Sequence, residues 1–320
     1  MAANPRLVAE IGEAVALARQ GQPAEAAARL LRIATDPEAG SLGPLTALGL
    51  PRKLHSAWVR LAKAEGDPAR IAGLQATAVP PEALLSDLFA VDAAGRAAHV
   101  AAAADPVPRC LHQVWVGGPP PAACEAWAGY AARHGWAYRL WDEPALVDAG
   151  ITADPLWQAM RKAGDLPGAV DVARYHILGR MGGLYLDCDW YPARSDLAPE
   201  AFIPCQGLSV IAERVPRMVA GGSFLLSNAL VAAPVGHPAL AHLLAVLPAA
   251  AGRMAGAPAW WSTGPLTFTL AARRGPVTVL DGGIVAGHLP RGAALSDAQD
   301  MAETFGQSGV AGLLIAWKSW

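Results

Sequence analysis

Apolar residues recur at helical spacing from the start of the chain. Leu7, Ile11, Val15 and Ala18 fall every three to four positions, Gly21 stops the run, and Pro23 opens a second stretch carrying Ala27, Leu30 and Leu31. Further helical runs follow at 54–64 and, after "EGDP", at 69–76. The expectation is an all-helical N-terminal module, residues 1–104, closing in a small-residue and proline linker, "HVAAAADPVP", at 99–108. The pattern then changes to short apolar runs that end in turns. "RCLHQVWVGG" (109–118) reads as a buried strand running into a glycine turn, and "WAYRLWDEP" (136–144) as a second strand. Helices at 156–162 and 169–181 precede a third strand, "GLYLDCD", and "SNALVAAPVGHPALAHLLAVL" reads as a buried strand followed by a helix. Strands separated by helices predict an α/β domain over 105–320: a Rossmann-like, mostly parallel sheet with flanking helices. Such sheets bind ligands at the carboxyl ends of their strands, where Trp115–Gly117 and Asp187–Asp189 both lie.

Composition narrows this picture. The 320 residues are 53% hydrophobic and 16% charged with a formal net charge of −2, which excludes a disordered chain and offers no basic run for nucleic acid. The cysteines, Cys110, Cys124, Cys188 and Cys205, match no zinc spacing and read as reduced thiols. The opening "MAANPRLVAEIGEAVALARQ" lacks the pattern of a signal peptide, and the most apolar stretch is interrupted by Asn228, Pro234, His237, Pro238 and His242. The expectation is a cytoplasmic protein with no transmembrane segment and no nucleic-acid partner. The "GQPAEA" and "GDPARI" turns give the helical module a weak resemblance to tetratricopeptide repeats, without a clean period. It reads as a packing cap or as a partner-binding module.

The candidate chemistry gathers in "GGLYLDCDW". Residues two apart on a strand share a face, so Asp187 and Asp189 are expected side by side with Cys188 turned into the packing. Two neighbouring carboxylates repel unless a cation relieves them, and oxygen-only ligands suit a hard divalent ion, Mg²⁺ or Mn²⁺. A solvated turn after a strand is the plain alternative.

"PRCLHQVWVGG", "AVDVARYHILGRMGGLYLDCDW" and the final "WKSW" resemble, in this order, motifs of glycosyltransferase family 32, the DXD sugar-binding group, and more remotely those of the large clostridial glucosylating toxins. The resemblance covers roughly 107–320 and implies a GT-A-type fold and a retaining glycosyltransferase. Such an enzyme moves a hexose from a UDP- or GDP-sugar to a hydroxyl of a glycan, lipid-linked sugar or protein, as in polysaccharide biosynthesis. It implies that Trp115 stacks on the nucleotide base and that Asp171 and Arg174 contact the donor sugar. It further implies that Tyr185 and Asp187 lie near sugar and ribose, that Asn228 lies near the transferred sugar, and that Asp189, with Ser319, holds Mn²⁺ or Mg²⁺ beside Trp320. Plain alternatives stand for several of these: a core tryptophan at 115, a surface ion pair of Asp171 with Arg174, a turn-holding Asn228.

The sequence departs from the family at one place. The histidine usual before the terminal "SW" is replaced by Leu314, Ile315 and Ala316. Either Lys318 or His288 supplies the positive charge, or the metal is held weakly or not at all. In the last case the chain is a catalytically degenerate nucleotide-sugar-binding or adaptor protein. His112 reads as a buried, hydrogen-bonded core histidine and His176 as a helix-packing side chain.

Overall fold

The computed structural model describes residues 3–215, 217–219 and 223–320. They divide into two compact units, one of 1–90, 213–225 and 249–270, the other of 91–212, 226–248 and 271–320.

The first unit contains α1 (Pro5–Arg19), α2 (Pro23–Ala34), α3 (Arg52–Glu65) and α4 (Pro68–Ala76). Asn4 and Asp67 cap α1 and α4 through their side chains, and Pro5, Pro23 and Pro68 supply the fixed φ of a first turn. Leu7, Ile11, Ala14 and Val15 of α1 pack with Ala26, Leu30 and Ile33 of α2 and Leu54, Ala57 and Leu61 of α3. The expected stripe on the second helix is corrected by one position, since Ala26 and Ile33 are buried whereas Leu31 is 59% exposed. Ala26, Leu30 and Ile33 lie three to four apart, so Leu31 turns to the opposite side.

In the second unit, α5 (Ala93–Ala102) is capped by Asp92, so the expected linker at 99–108 is corrected: its first residues are helical and His99 is buried. Then come β1 (Cys110–Val114), α6 (Ala122–Arg133), β2 (Ala137–Trp141), α7 (Glu143–Asp148), α8 (Pro155–Lys162), α9 (Leu166–Met181), β3 (Gly183–Leu186), β4 (Trp190–Pro192) and β5 (Ser209–Ala212). The short pair β6 (Met218–Val219) and β7 (Ser223–Phe224) belongs to the first unit. The chain continues through β8 (Leu226–Ala233), α10 (Pro238–Arg253), α11 (Ala259–Ser262), α12 (Pro265–Ala272), β9 (Thr278–Leu280), β10 (Val285–His288), α13 (Leu295–Ser308) and β11 (Leu314–Ala316), with the end of α10, α11 and most of α12 belonging to the first unit.

Among the described residues a six-stranded sheet runs in the order β2-β1-β3-β8-β5-β9. Its pairs are parallel except those of β8, which is antiparallel to both β3 and β5. The fold is thus mixed α/β with a mostly parallel central sheet, as the alternation of strands and helices predicted. Gly182 and Gly183 make the close joint between α9 and β3: their φ values are 61° and 103°, and a Cβ on Gly183 would sit 2.5 Å from the Cys110 carbonyl oxygen. A small second sheet, β10-β11-β4, brings the C-terminal residues back beside the end of β3.

Candidate functional site

A cleft of about 340 Å³ opens at the carboxyl ends of β1 and β3. β1 delivers Trp115, whose backbone N–H donates to the Trp141 carbonyl across the parallel pair at 3.0 Å. Gly117 and Gly118, with positive φ, turn the chain away, as the glycine pair predicted. The first turn of α9 contributes Leu166 and Pro167 to the wall, and Val170 and Arg174 follow on the same side at i+4 intervals. Asp165 fixes this end of α9 by accepting from Gly168 N–H at 3.0 Å. Leu166 and Pro167 were not singled out from the sequence; the available signal was an aspartate followed by proline two residues on, which marks a helix start.

The strand expected through Asp189 ends at Leu186, so Asp187 and Asp189 lie on the turn that follows rather than on one strand face. The Asp187 N–H still reaches the Ala229 carbonyl on β8 at 2.8 Å, which holds the turn against the sheet. Cys188 is buried as expected, its thiol donating to the Val114 carbonyl.

The two carboxylates have different partners. Asp187 Oδ1 accepts from the Tyr185 hydroxyl at 2.9 Å and lies 3.0 Å from an Arg174 nitrogen. Arg174 also pairs with Asp171 at 3.2 Å, donates to the Asn228 carbonyl, and stacks over the Tyr185 ring at 4.5 Å. Burial works against the charged guanidinium, but Asp187 and Asp171 outweigh it and its pKa is raised. The reading of Asp171 and Arg174 as a surface ion pair is corrected, because both are buried. α9 is buried on most of its circumference, which encloses Asp171 and Arg174, while Arg180 in its last turn is exposed.

Asn228 lies within β8 rather than in a turn, and its amide donates to Asp171 and to the Tyr175 hydroxyl, each at 2.8 Å. Asp171, Tyr185 and Asn228 form a buried layer around Arg174 and are absent from the cleft lining, whereas Trp115, Arg174, Asp187, Asp189 and Trp320 line it.

Asp189 faces the C-terminal segment. Its carbonyl accepts from Trp317 N–H at 2.8 Å, continuing the β4–β11 pairing and bringing Lys318 and Trp320 into the cleft. Burial pushes the Asp189 carboxyl up to about 6, Asp187 adds to the rise, and Lys318 and Arg174 oppose it. Trp320 meets Trp115 edge to face with centroids 4.8 Å apart, and the Trp320 carbonyl accepts from Arg291. The Trp115 indole N–H is buried with no hydrogen-bond partner. Of the two positive charges considered, Lys318 lines the cleft, while His288 stands exposed at the end of β10 and outside the lining. Ser319 is half-buried and also outside it.

His112 is fully buried. Its Nε2 bonds to the Gly182 carbonyl at 3.1 Å and its Nδ1 to the Trp141 indole N–H at 3.2 Å, so the ring is neutral with its proton on Nε2. His176 pairs with Asp154, the cap of α8.

Among the described residues no group of three or more His, Cys, Asp or Glu is arranged to hold a metal ion. The donor set at the cleft is two carboxylates, one of them engaged by Arg174. This fits Mg²⁺ or Mn²⁺, which commonly take one or two carboxylates and complete their shell with substrate phosphates and water. No helix among the described residues is long and apolar enough to cross a membrane.

No family model and no curated protein matches the sequence. Among solved structures the chain is similar to PaToxG glycosyltransferase, with 14% identity, 60% of this chain and 77% of that one covered, and a TM-score of 0.44. It is similar to the catalytic domain of alpha-toxin from Clostridium novyi, with 10% identity, 88% and 92% covered, and a TM-score of 0.36. A third is a glycosyltransferase involved in the glycosylation of the major capsid of PBCV-1, with 13% identity, 65% and 94% covered, and a TM-score of 0.31.

Proposed function

We propose that the chain is a retaining glycosyltransferase of the family 32 type, moving a hexose from a UDP- or GDP-sugar to an acceptor hydroxyl in the cleft at Trp115, Asp189 and Lys318. One observation carries the reading. Three segments far apart in sequence, each resembling a motif of that family, converge on a single cleft at the carboxyl ends of parallel strands.

The indole of Trp115 is a platform for the base, with Trp320 closing against its edge. The amino terminus of α9, with its partial positive charge, and Lys318 favour the diphosphate. As the bond between the anomeric carbon and the phosphate oxygen breaks, negative charge builds on the leaving diphosphate, and Lys318 holds it. The acceptor oxygen bonds to the carbon from the same face, and its proton passes to the departing phosphate oxygen. Arg174 fixes Asp187, and through the turn Asp189, so the site needs little reorganisation as charge moves. Asp189, with Ser319 as a second candidate, would hold Mn²⁺ or Mg²⁺, which when bound neutralises diphosphate charge. The acceptor is a glycan, lipid-linked sugar or protein. A cytoplasmic location accords with the four free thiols.

Asp189→Ala is expected to lower hydrolysis of the UDP- or GDP-hexose donor by about a hundredfold or more while leaving cooperative unfolding intact. Assay with Mn²⁺ and with EDTA checks this. Undiminished turnover in the variant contradicts the proposal. Absence of turnover from the parent chain, with nucleotide-sugar binding retained, selects the degenerate binding protein, the reading that the missing histidine favours.

A further inference from the structure

In the helical unit, Arg52, Ser56, Arg60 and Lys63 lie at intervals of four, four and three along α3 and therefore on one side of it. They line a concavity of about 270 Å³ whose wall also carries Arg217 and Trp260, the Arg217 guanidinium lying 4.6 Å from the centroid of that indole. No acidic side chain is among the described lining residues.

Four other arginines of this unit are paired, whereas Arg19, Arg32 and Arg214 form no ion pair among the described residues. Arg6 meets Glu10 and Asp36, Arg29 meets Glu13, Arg70 meets Glu65, and Arg253 meets Asp87. Among the described residues Arg52, Arg60, Lys63 and Arg217 make no ion pair, and the Nε atoms of Arg52 and Arg217 are buried with no hydrogen-bond partner. Desolvation lowers the pKa of both arginines; the charge of Glu213 reaches Arg217 without outweighing its burial. His55, also on the wall, bonds to Thr46 and to the Leu74 carbonyl, so its ring is already occupied. A buried donor without an acceptor is unfavourable, as is a partly buried cation without an ion pair, and Arg52 and Arg217 combine the two.

We infer that this concavity is a binding site for a phosphoryl group, held by Arg52, Arg60, Lys63 and Arg217 and built of none of the residues of the cleft. A phosphate monoester or diphosphate presents several oxygens to the forked guanidinium donors, which one carboxylate could not satisfy. The Trp260 ring gives the group bearing the phosphate an apolar wall. The space accommodates a phosphoryl group and a short stem.

The test is calorimetric titration of the full chain, in EDTA, with inorganic phosphate, pyrophosphate and short-chain phosphatidic acid below its micellar concentration. Saturable binding that weakens with added salt is expected. Arg52→Gln and Arg217→Gln should each weaken it about tenfold or more. Lys63→Gln, at an exposed position where folding is not at risk, should weaken it several-fold. Lys318→Gln in the cleft should leave it unchanged, so this site and the donor cleft are judged separately. Preference for pyrophosphate identifies a soluble phosphate as the ligand, and preference for the lipid identifies a headgroup; both support the site. Failure of all three probes to bind at millimolar concentration overturns it, as does binding that survives the Arg52, Arg217 and Lys63 substitutions or is lost on Lys318→Gln.

Discussion

Arg174 is buried beside two carboxylates, with its guanidinium also over the Tyr185 ring. Charges removed from water this far are tolerated only as a set, and removing one member leaves the others uncompensated. Arg174→Ala is therefore expected to cost about 3–5 kcal/mol, read as the shift of the urea midpoint multiplied by the denaturant slope. A cost below about 1 kcal/mol, typical of exposed pairs, would contradict this account of the residue. The i, i+3 spacing of Asp171 and Arg174 was legible in the sequence, and so was their pairing. Their burial was not, because it depends on α9 packing against β1, β3 and β8. The same packing decides how Asp187 and Asp189 differ. Spacing marks both as one motif, yet Asp187 is bound by Tyr185 and Arg174 while Asp189 turns toward Lys318.

The elements were legible where local chemistry fixes them and less so where tertiary pairing does. Proline and aspartate mark the start of α4, and the glycine pair marks the entry to β3, whereas the same signal at Asp165 and Pro167 was passed over and α9 begins three residues before the expected 169. Asp92, which caps α5, was missed, and the alanines and prolines that follow suggested a linker instead. β3 stops one residue before Asp187 because the chain turns there to begin β4, whose pairing with β11 lies far away in sequence. The joint between β1 and β3 also has a pH signature. His112 bridges Gly182 and Trp141 as a neutral ring; burial depresses its pKa from 6.5 to about 4, with the Gly182 carbonyl opposing and Arg139 reinforcing the shift. His237 is likewise depressed to about 4, by burial and then by His99. A depressed histidine pKa gives stability that is complete above the unfolded value of 6.5 and is lost as pH falls toward the folded value. Each ring is worth on the order of 3 kcal/mol over that window. Urea midpoints measured at successive pH values should hold steady above about 6.5 and fall progressively down to about 4. A midpoint unchanged across the interval would contradict the neutral, buried assignment.

At the scale of the whole molecule, each unit assembles a concave site from separate stretches of chain. In the α/β unit, β1, α9, the β3–β4 turn and the segment after β11 converge on the cleft. In the helical unit, α3 meets Arg217 and Trp260, which come from 213–225 and 249–270, stretches with no compositional mark of belonging there. The sequence analysis marked α3 only as a helical run; its basic stripe follows from the spacing once the helix is placed, and its partner across the concavity comes from distant sequence. The central claim is that the cleft binds a nucleotide sugar through Trp115 and the acid turn. A crystal structure of the chain grown with Mn²⁺ and UDP or GDP tests it most directly. The account predicts the base stacked on the Trp115 indole and the diphosphate between Asp189 and Lys318. A nucleotide seated elsewhere on the protein, with that cleft filled only by water, would contradict it.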